Sequence, residues 1–237
     1  MHIFAVLPAF NEAENLRPLL ASLSHVRERL KPDELTVLVV DDGSTDGTGE
    51  MAAIRHPKNL GFPQALRTGL ARALELSKDM NDCAVVMDAD NTHPAETLIP
   101  MLEKFRRGSD VVIASRYCAG GSQRGVSLFR IFLSRACGGL LSVFFRVENV
   151  KDYTSSFRMI RMKTLRSLSE ATGGEFFKEK SFVCACEFLF NLKTAGARFA
   201  EVPLALRYDL RIGKSKMNVA RTVAGYFKLM SRLLLKG

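Results

Sequence analysis

The chain has 237 residues, 47% of them hydrophobic, and a formal net charge of +9. That content suffices to bury a substantial core as one domain and excludes a disordered or low-complexity protein. The surplus of cations calls for an anionic partner: a nucleic acid, a nucleotide phosphate, a phospholipid surface or a phosphorylated substrate.

The opening residues, MHIFAVLPAFNE, lack a basic start and a small-residue cleavage site. They read as a strand rather than a secretory signal, and a cytoplasmic protein is expected. Apolar runs rich in Val, Ile and Leu then alternate with amphipathic stretches, the pattern of a mostly parallel sheet covered by helices. Strands are predicted at 2–8, 35–42, 83–90 and 110–116, and helices at about 12–25, 62–77 and 94–107, with Pro94 suited to a first helical turn. In open α/β sheets ligands bind beyond the carboxyl ends of the strands. Those ends carry Glu12, Asp41 and Asp42, Asp88 and Asp90, and Arg116.

After Arg116 the style changes. A glycine-bearing loop leads into the amphipathic stretch 126–147, whose Phe-rich face is expected to be core. A strand is predicted at 156–162, a helix at 181–195, a strand at 197–208 and a last amphipathic helix at 218–235. No linker or repeat divides the chain, so residues 1–237 are expected to form one domain: a nucleotide-binding half, 1–116, and an acceptor-binding, membrane-facing half, 117–237. The later half also holds most of the surplus Lys and Arg. No apolar run reaches the roughly 18 residues of a spanning helix, because Arg130, Arg135 and Arg146 interrupt the greasiest region. Five cysteines with no CxxC pair read as reduced thiols and disfavour a structural zinc site.

Two acidic clusters are candidates for chemistry. VVDDGSTDGT (39–48) places Asp41 and Asp42 before a turn, where the carboxylates either cap a helix or hold a base or ribose. There is no GxGxxG and no GxxxxGK[ST], which disfavours a dinucleotide fold or a P-loop. VVMDADNTHP (85–94) aims Asp88 and Asp90 out of an apolar strand. Two such carboxylates are costly unless a cation or hydrogen bonds compensate them, and Mg²⁺ is usually held by one or two carboxylates plus phosphate oxygens. His93 is expected to support this loop or cap a helix rather than ligate. Arg116 and Arg130 read either as anion ligands or as solvated and snorkelling charges.

LPAFNE, VVDDGSTDGT, NLGFPQALRTG, VVMDADNTHP and SRY, in that order, resemble the family 2 glycosyltransferases. FRIFLSR, DYTSSF, AEVPL and GKSK narrow the likeness to the polyprenol-phosphate glycosyltransferases. The resemblance implies a GT-A fold and inverting, metal-dependent transfer of a hexose from a GDP- or UDP-sugar to a polyprenyl phosphate. It implies that Pro8, Phe10, Glu12 and Asp42 cradle the nucleotide and that Asp88, Ala89 and Asp90 meet Mg²⁺ or Mn²⁺ and the diphosphate. By the same likeness Arg116, Arg130 and Ser134 hold the acceptor phosphate, with Asp90, Arg116 and Arg130 central to catalysis.

Three positions depart from the family pattern. Thr92 stands where the family commonly has Gln; Arg211 stands one place late in the basic motif, whose Lys216 matches; and Ser156 replaces Gly. Helices 126–147 and 218–235 are expected to lie at a membrane surface, on their own or through a partner membrane protein, with no nucleic acid involved. The alternatives are transfer to a saccharide hydroxyl, for which Glu187 is the nearest candidate base, and a non-catalytic basic protein binding a membrane or nucleic acid.

Overall fold

The computed structural model describes residues 1–213 and 219–235. Among these, seven strands form one sheet: β1 (His2–Ala9), β2 (Glu34–Asp41), β3 (Ile54–Arg55), β4 (Cys83–Val86), β5 (Val111–Ser115), β7 (Arg158–Arg161) and β8 (Phe199–Pro203). Their order is β3-β2-β1-β4-β7-β5-β8, and β7 alone runs antiparallel to its neighbours β4 and β5. Strands β6 (Ser122–Arg124) and β9 (Ala205–Arg207) pair separately as a small ribbon.

Strand β1 is buried on both faces, as a central parallel strand should be. Successive side chains point to opposite faces. Ile3, Ala5 and Leu7 therefore join the core under α1 (Ala13–Leu30) and α3 (Leu98–Arg106), while Phe4 and Val6 join the core under α2 (Phe62–Leu76), α5 (Met162–Thr172) and α6 (Cys184–Thr194). Gly69 lets α2 lie close on the sheet, because a Cβ there would come within 2.3 Å of Val6 Cγ1. Helices α4 (Leu128–Phe144) and α7 (Val219–Leu234) complete the described fold, beyond the carboxyl ends of the strands.

The structure corrects several predicted boundaries. The strand expected at 83–90 ends at Val86, so Asp88 and Asp90 lie on the loop that follows. Helix α1 runs on to Leu30, since its apolar positions continue through Leu23 and Val26. Pro94 precedes a 3₁₀ turn, Ala95–Thr97, rather than standing inside the helix. The strand expected at 197–208 is two strands, β8 in the main sheet and β9 in the ribbon, broken at Leu204.

The largest correction concerns the Phe-rich stretch. On α4 Gly138 and Leu141 are buried, while Leu128, Phe129, Phe132, Val143 and Phe144 are exposed, Leu128 to 84%. No described helix is long and apolar enough to cross a membrane.

Candidate active site

A cavity of about 670 Å³ opens at the carboxyl ends of β1, β2, β4 and β5 and is lined by Pro8, Phe10, Glu12, Asp42, Asp88, Ala89, Asp90, Arg116, Arg130, Ser134 and Arg211. Every site residue expected from the sequence is thus gathered in one place except Lys216, which lies outside the described residues. Its lining combines a carboxylate wall, with Glu12, Asp42, Asp88 and Asp90, and a cation wall, with Arg116 and Arg130.

The carboxylate wall is built largely from short loops. Asn91 takes a left-handed backbone, φ 60°, which Asn tolerates better than most residues. That turn lets Thr92 reach back, so its hydroxyl donates to Asp90 Oδ1 at 2.7 Å and its N–H to the same oxygen at 3.2 Å. Thr92 therefore orients Asp90, which explains a polar residue shorter than the family's Gln. Asp90 Oδ2 accepts from Arg211 Nη1 at 2.7 Å. The displaced arginine of the basic motif consequently reaches the site, where it also lies 3.5 Å from Glu12 Oε1.

Asp88 is held more loosely. Ser156 Oγ donates to its Oδ1 at 3.0 Å, so the residue replacing Gly supports this carboxylate. His93 Nδ1 accepts the Asp88 N–H at 3.2 Å, placing the proton of a neutral ring on Nε2, which points toward Asp88 Oδ2 at 3.9 Å. Its ring stacks on Phe157, the supporting role expected. The Asp88 side chain stays 34% exposed.

Asp42 is committed mainly to its own chain: it accepts from His56, Leu60 N–H and Gly61 N–H at 2.7–2.9 Å. Three of about four lone-pair sites are used, leaving one for a ligand. Glu12 is fixed by Asn15 at 2.6 Å, and Asn15 also grips the backbone of Ile212. Asp41 faces Ser44 and Arg55 instead.

Asp88 and Asp90 suit a divalent cation by donor chemistry. Both are hard oxygen donors facing the cavity, and no described cluster of three or more His, Cys, Asp or Glu competes for a softer or more fully caged ion. Two protein carboxylates with the remaining oxygens from water and phosphate are the usual arrangement for Mg²⁺.

The cation wall comes from distant elements. Arg116, just past β5, gives Nε and Nη2 to the two oxygens of Asp152, both at 2.7 Å, and Nη2 also meets Thr154 Oγ1 at 2.6 Å. Burial alone would lower the Arg116 pKa, but the adjacent Asp152 carboxylate overrides this and raises it; burial raises Asp152, and the guanidinium overrides this to hold it below the ordinary range. Both remain ionised. Arg130 on α4 donates to Tyr208 Oη at 3.0 Å, and Ser134 one turn on accepts from Tyr117 Oη at 2.9 Å.

Asp152, Thr154, Tyr117 and Tyr208 were not singled out from the sequence. DYTSSF and SRY lay inside recognised motifs, but nothing local indicated that their residues would meet. Glu187 does not line the cavity. Its buried carboxylate accepts from the N–H groups of Lys178 and Glu179 and from Arg232 of α7, so it anchors a loop and a helix.

Residues 4–169 match the model of glycosyl transferase family 2. The chain belongs to that family. Among curated family relatives, the undecaprenyl-phosphate mannosyltransferase of Micrococcus luteus is 31% identical over 92% of this chain and 88% of its own length. The dolichol-phosphate mannosyltransferase of Pyrococcus furiosus is 28% identical over 99% of this chain, which spans 64% of that longer protein. Glucosyl-3-phosphoglycerate synthase from Mycobacterium tuberculosis, solved with Mn²⁺, UDP and phosphoglyceric acid, superposes with a TM-score of 0.65 at 21% identity, over 98% of this chain and 77% of that one. A mannosyltransferase from Pyrobaculum calidifontis, in complex with GDP-Man and Mn²⁺, gives 0.58 at 18%, over 97% and 64%. This family 2 glycosyltransferase thus has the GT-A architecture.

Proposed function

We propose that this family 2 glycosyltransferase moves a hexose from a nucleotide-diphospho-sugar to a polyprenyl phosphate, inverting the anomeric carbon. One observation carries the reading: beyond the carboxylate wall, the described cavity lining offers an acceptor Arg116, Arg130 and Ser134, but no carboxylate. A saccharide hydroxyl needs a general base there, and Glu187, the candidate for that alternative, is spent on structural contacts. A phosphate monoester needs little or none, because its second pKa is about 6 by analogy with phosphoamino acids. The naming of relatives 28–31% identical as polyprenyl-phosphate mannosyltransferases supports the same acceptor.

In this reading residues 1–116 bind the donor and 117–237 the acceptor. Pro8, Phe10, Glu12 and Asp42 receive the nucleotide, and Asp88 and Asp90 hold a Mg²⁺ or Mn²⁺ at the diphosphate. The bound cation would supply charge neutralisation to the leaving group. Arg116 and Arg130 orient the acceptor, whose oxygen forms a bond to C1 as the C1–O bond to the nucleotide's β-phosphate breaks and its electron pair leaves with the diphosphate. The exposed phenylalanines of α4, beside Arg130 and Arg135, fit a peripheral position on an anionic membrane from which a polyprenyl tail is reached.

The test offers labelled GDP- and UDP-sugars with Mg²⁺ or Mn²⁺ to a short polyprenyl phosphate and to the matched alcohol. Transfer to the phosphate is expected; preference for the alcohol would overturn the proposal.

A further inference from the structure

The loop between α4 and β7 is largely buried and tied to several elements. Asp152 is completely buried and takes the Arg116 backbone N–H and side chain together with the N–H groups of Thr154 and Ser155. Its own N–H and that of Lys151 donate to Glu201 of β8, both at 2.8 Å. Ser155 Oγ donates to Ala114 O of β5, and the buried Arg158 ties Tyr153 O to Ala185 O of α6. Three elements thus hold one short loop against Arg116.

A guanidinium has five N–H groups. Asp152 accepts the Nε–H and one Nη2–H, and Thr154 Oγ1 accepts the other Nη2–H. Among the described residues none accepts the two hydrogens of Nη1, which remain for a ligand. Thr154 Oγ1 also meets Ser134 Oγ at 3.1 Å and reaches Asp152 Oδ1 at 3.3 Å, so Asp152, Thr154, Ser134 and Tyr117 form one hydroxyl chain beside Arg116.

We propose that Asp152 and Thr154 are positioning residues for the acceptor phosphate: they consume three of the five Arg116 N–H groups and set Ser134, leaving Nη1 of Arg116 and the Ser134 hydroxyl to meet the anion. The inference rests on the acceptor reading above. Arg116 then meets phosphate through the end of its fork at a fixed angle, without the two-edged grip a free guanidinium would offer.

Thr154→Val keeps the side chain's shape and removes its oxygen, while Thr154→Ser keeps the hydroxyl. With farnesyl phosphate as acceptor, Thr154→Val is expected to lower kcat/KM for the acceptor about tenfold, the size of one lost charge-assisted hydrogen bond. The donor KM and the slow hydrolysis of donor without acceptor should not move, and Thr154→Ser should restore most of the loss. Asp152→Asn, which turns an amide N–H toward the guanidinium, should show the same acceptor-only defect more severely. If that variant does not fold, the threonine pair still decides. Wild-type rates with no loss in Thr154→Val, a loss shared equally by the donor KM, or failure of Thr154→Ser to rescue would overturn the inference while leaving the acceptor reading intact. Wild-type preference for farnesol over farnesyl phosphate would remove the acceptor reading and this inference with it.

Discussion

The two walls of the cavity are made in opposite ways. Asp90 and Asp42 take most of their hydrogen bonds from residues within about twenty positions of themselves, through turns such as 90–92 and the entry to α2, while the Asp88 carboxylate accepts from Ser156, 68 residues on. Arg116 and Arg130 find their partners 36 and 78 residues away, and Arg211 reaches Asp90 across 121. Charge divides along the chain in the same sense: residues 1–100 carry fifteen Asp and Glu to nine Lys and Arg, and the rest ten to twenty-five. The acidic wall is thus mostly local, carried on loops at the strand ends, whereas the basic wall is a product of tertiary folding. Repulsion between the clustered carboxylates is compensated by donors on the acidic wall itself and by Ser156 and Arg211 from the other half.

The sharpest way to break this comparison is to remove its centre. Asp90→Ala should lower kcat by roughly a thousand-fold, the upper range for losing a preorganised electrostatic group, and weaken Mn²⁺ binding in the presence of nucleotide. Near-normal turnover with saturating Mn²⁺ would show that the carboxylate wall is not the catalytic one. Arg130→Ala attacks the opposite wall. Loss of one charge-assisted contact of about 1.5–3 kcal/mol predicts roughly a ten- to hundred-fold fall in kcat/KM for the lipid phosphate. The donor KM should stay put; an equal rise in donor KM would merge the two walls into one binding site.

A smaller effect is expected at the rim. Phe129 and Phe132 are both more than two-thirds exposed on α4. Full burial of one such side chain is worth about 1.5–3 kcal/mol. Replacing both with Ser should reduce sedimentation with anionic vesicles about tenfold while leaving transfer to a short, soluble acceptor unchanged. Loss of the soluble activity would mean that these phenylalanines serve the fold, as the sequence pattern led one to expect.

That expectation failed for a physical reason. A helical stripe of Phe and Leu identifies an apolar face but not what covers it, and α4 buries chiefly Gly138 and Leu141 while its bulkier residues face outward. The parallel strands were legible, because a strand buried on both faces is a continuous apolar run, and their ends pointed to the carboxylates. The antiparallel insertion of β7 between β4 and β5 was not legible, since four residues carry no sign of strand direction. Nor was the pairing of Arg116 with Asp152, which depends on that insertion bringing the preceding loop beside β5. Thr92 is the converse case. As a departure from a family pattern it looked like a loss, and only the left-handed Asn91 shows that a short hydroxyl placed there can reach Asp90.

Arg211 offers the finest test, because among the described residues it is the arginine that pairs with both Asp90 and Glu12 of the acidic wall. Its Nη1 lies on Asp90 Oδ2, one of the oxygens a divalent cation would use, while the other guanidinium nitrogen reaches Glu12. A fixed cation at that place repels a second one and attracts a diphosphate. Arg211→Gln should therefore change two affinities in opposite directions, each by roughly five-fold, the scale of a single partly screened charge. Mn²⁺ should bind the nucleotide-free protein more tightly, read by electron paramagnetic resonance, and a nucleoside diphosphate should bind the Mn²⁺-loaded protein more weakly, read by calorimetry. If both affinities fell together, Arg211 would be a structural strut between Asp90 and Glu12. If the signs are opposite, the arginine substitutes for part of the metal's charge until the donor arrives, and the two walls are coupled through it.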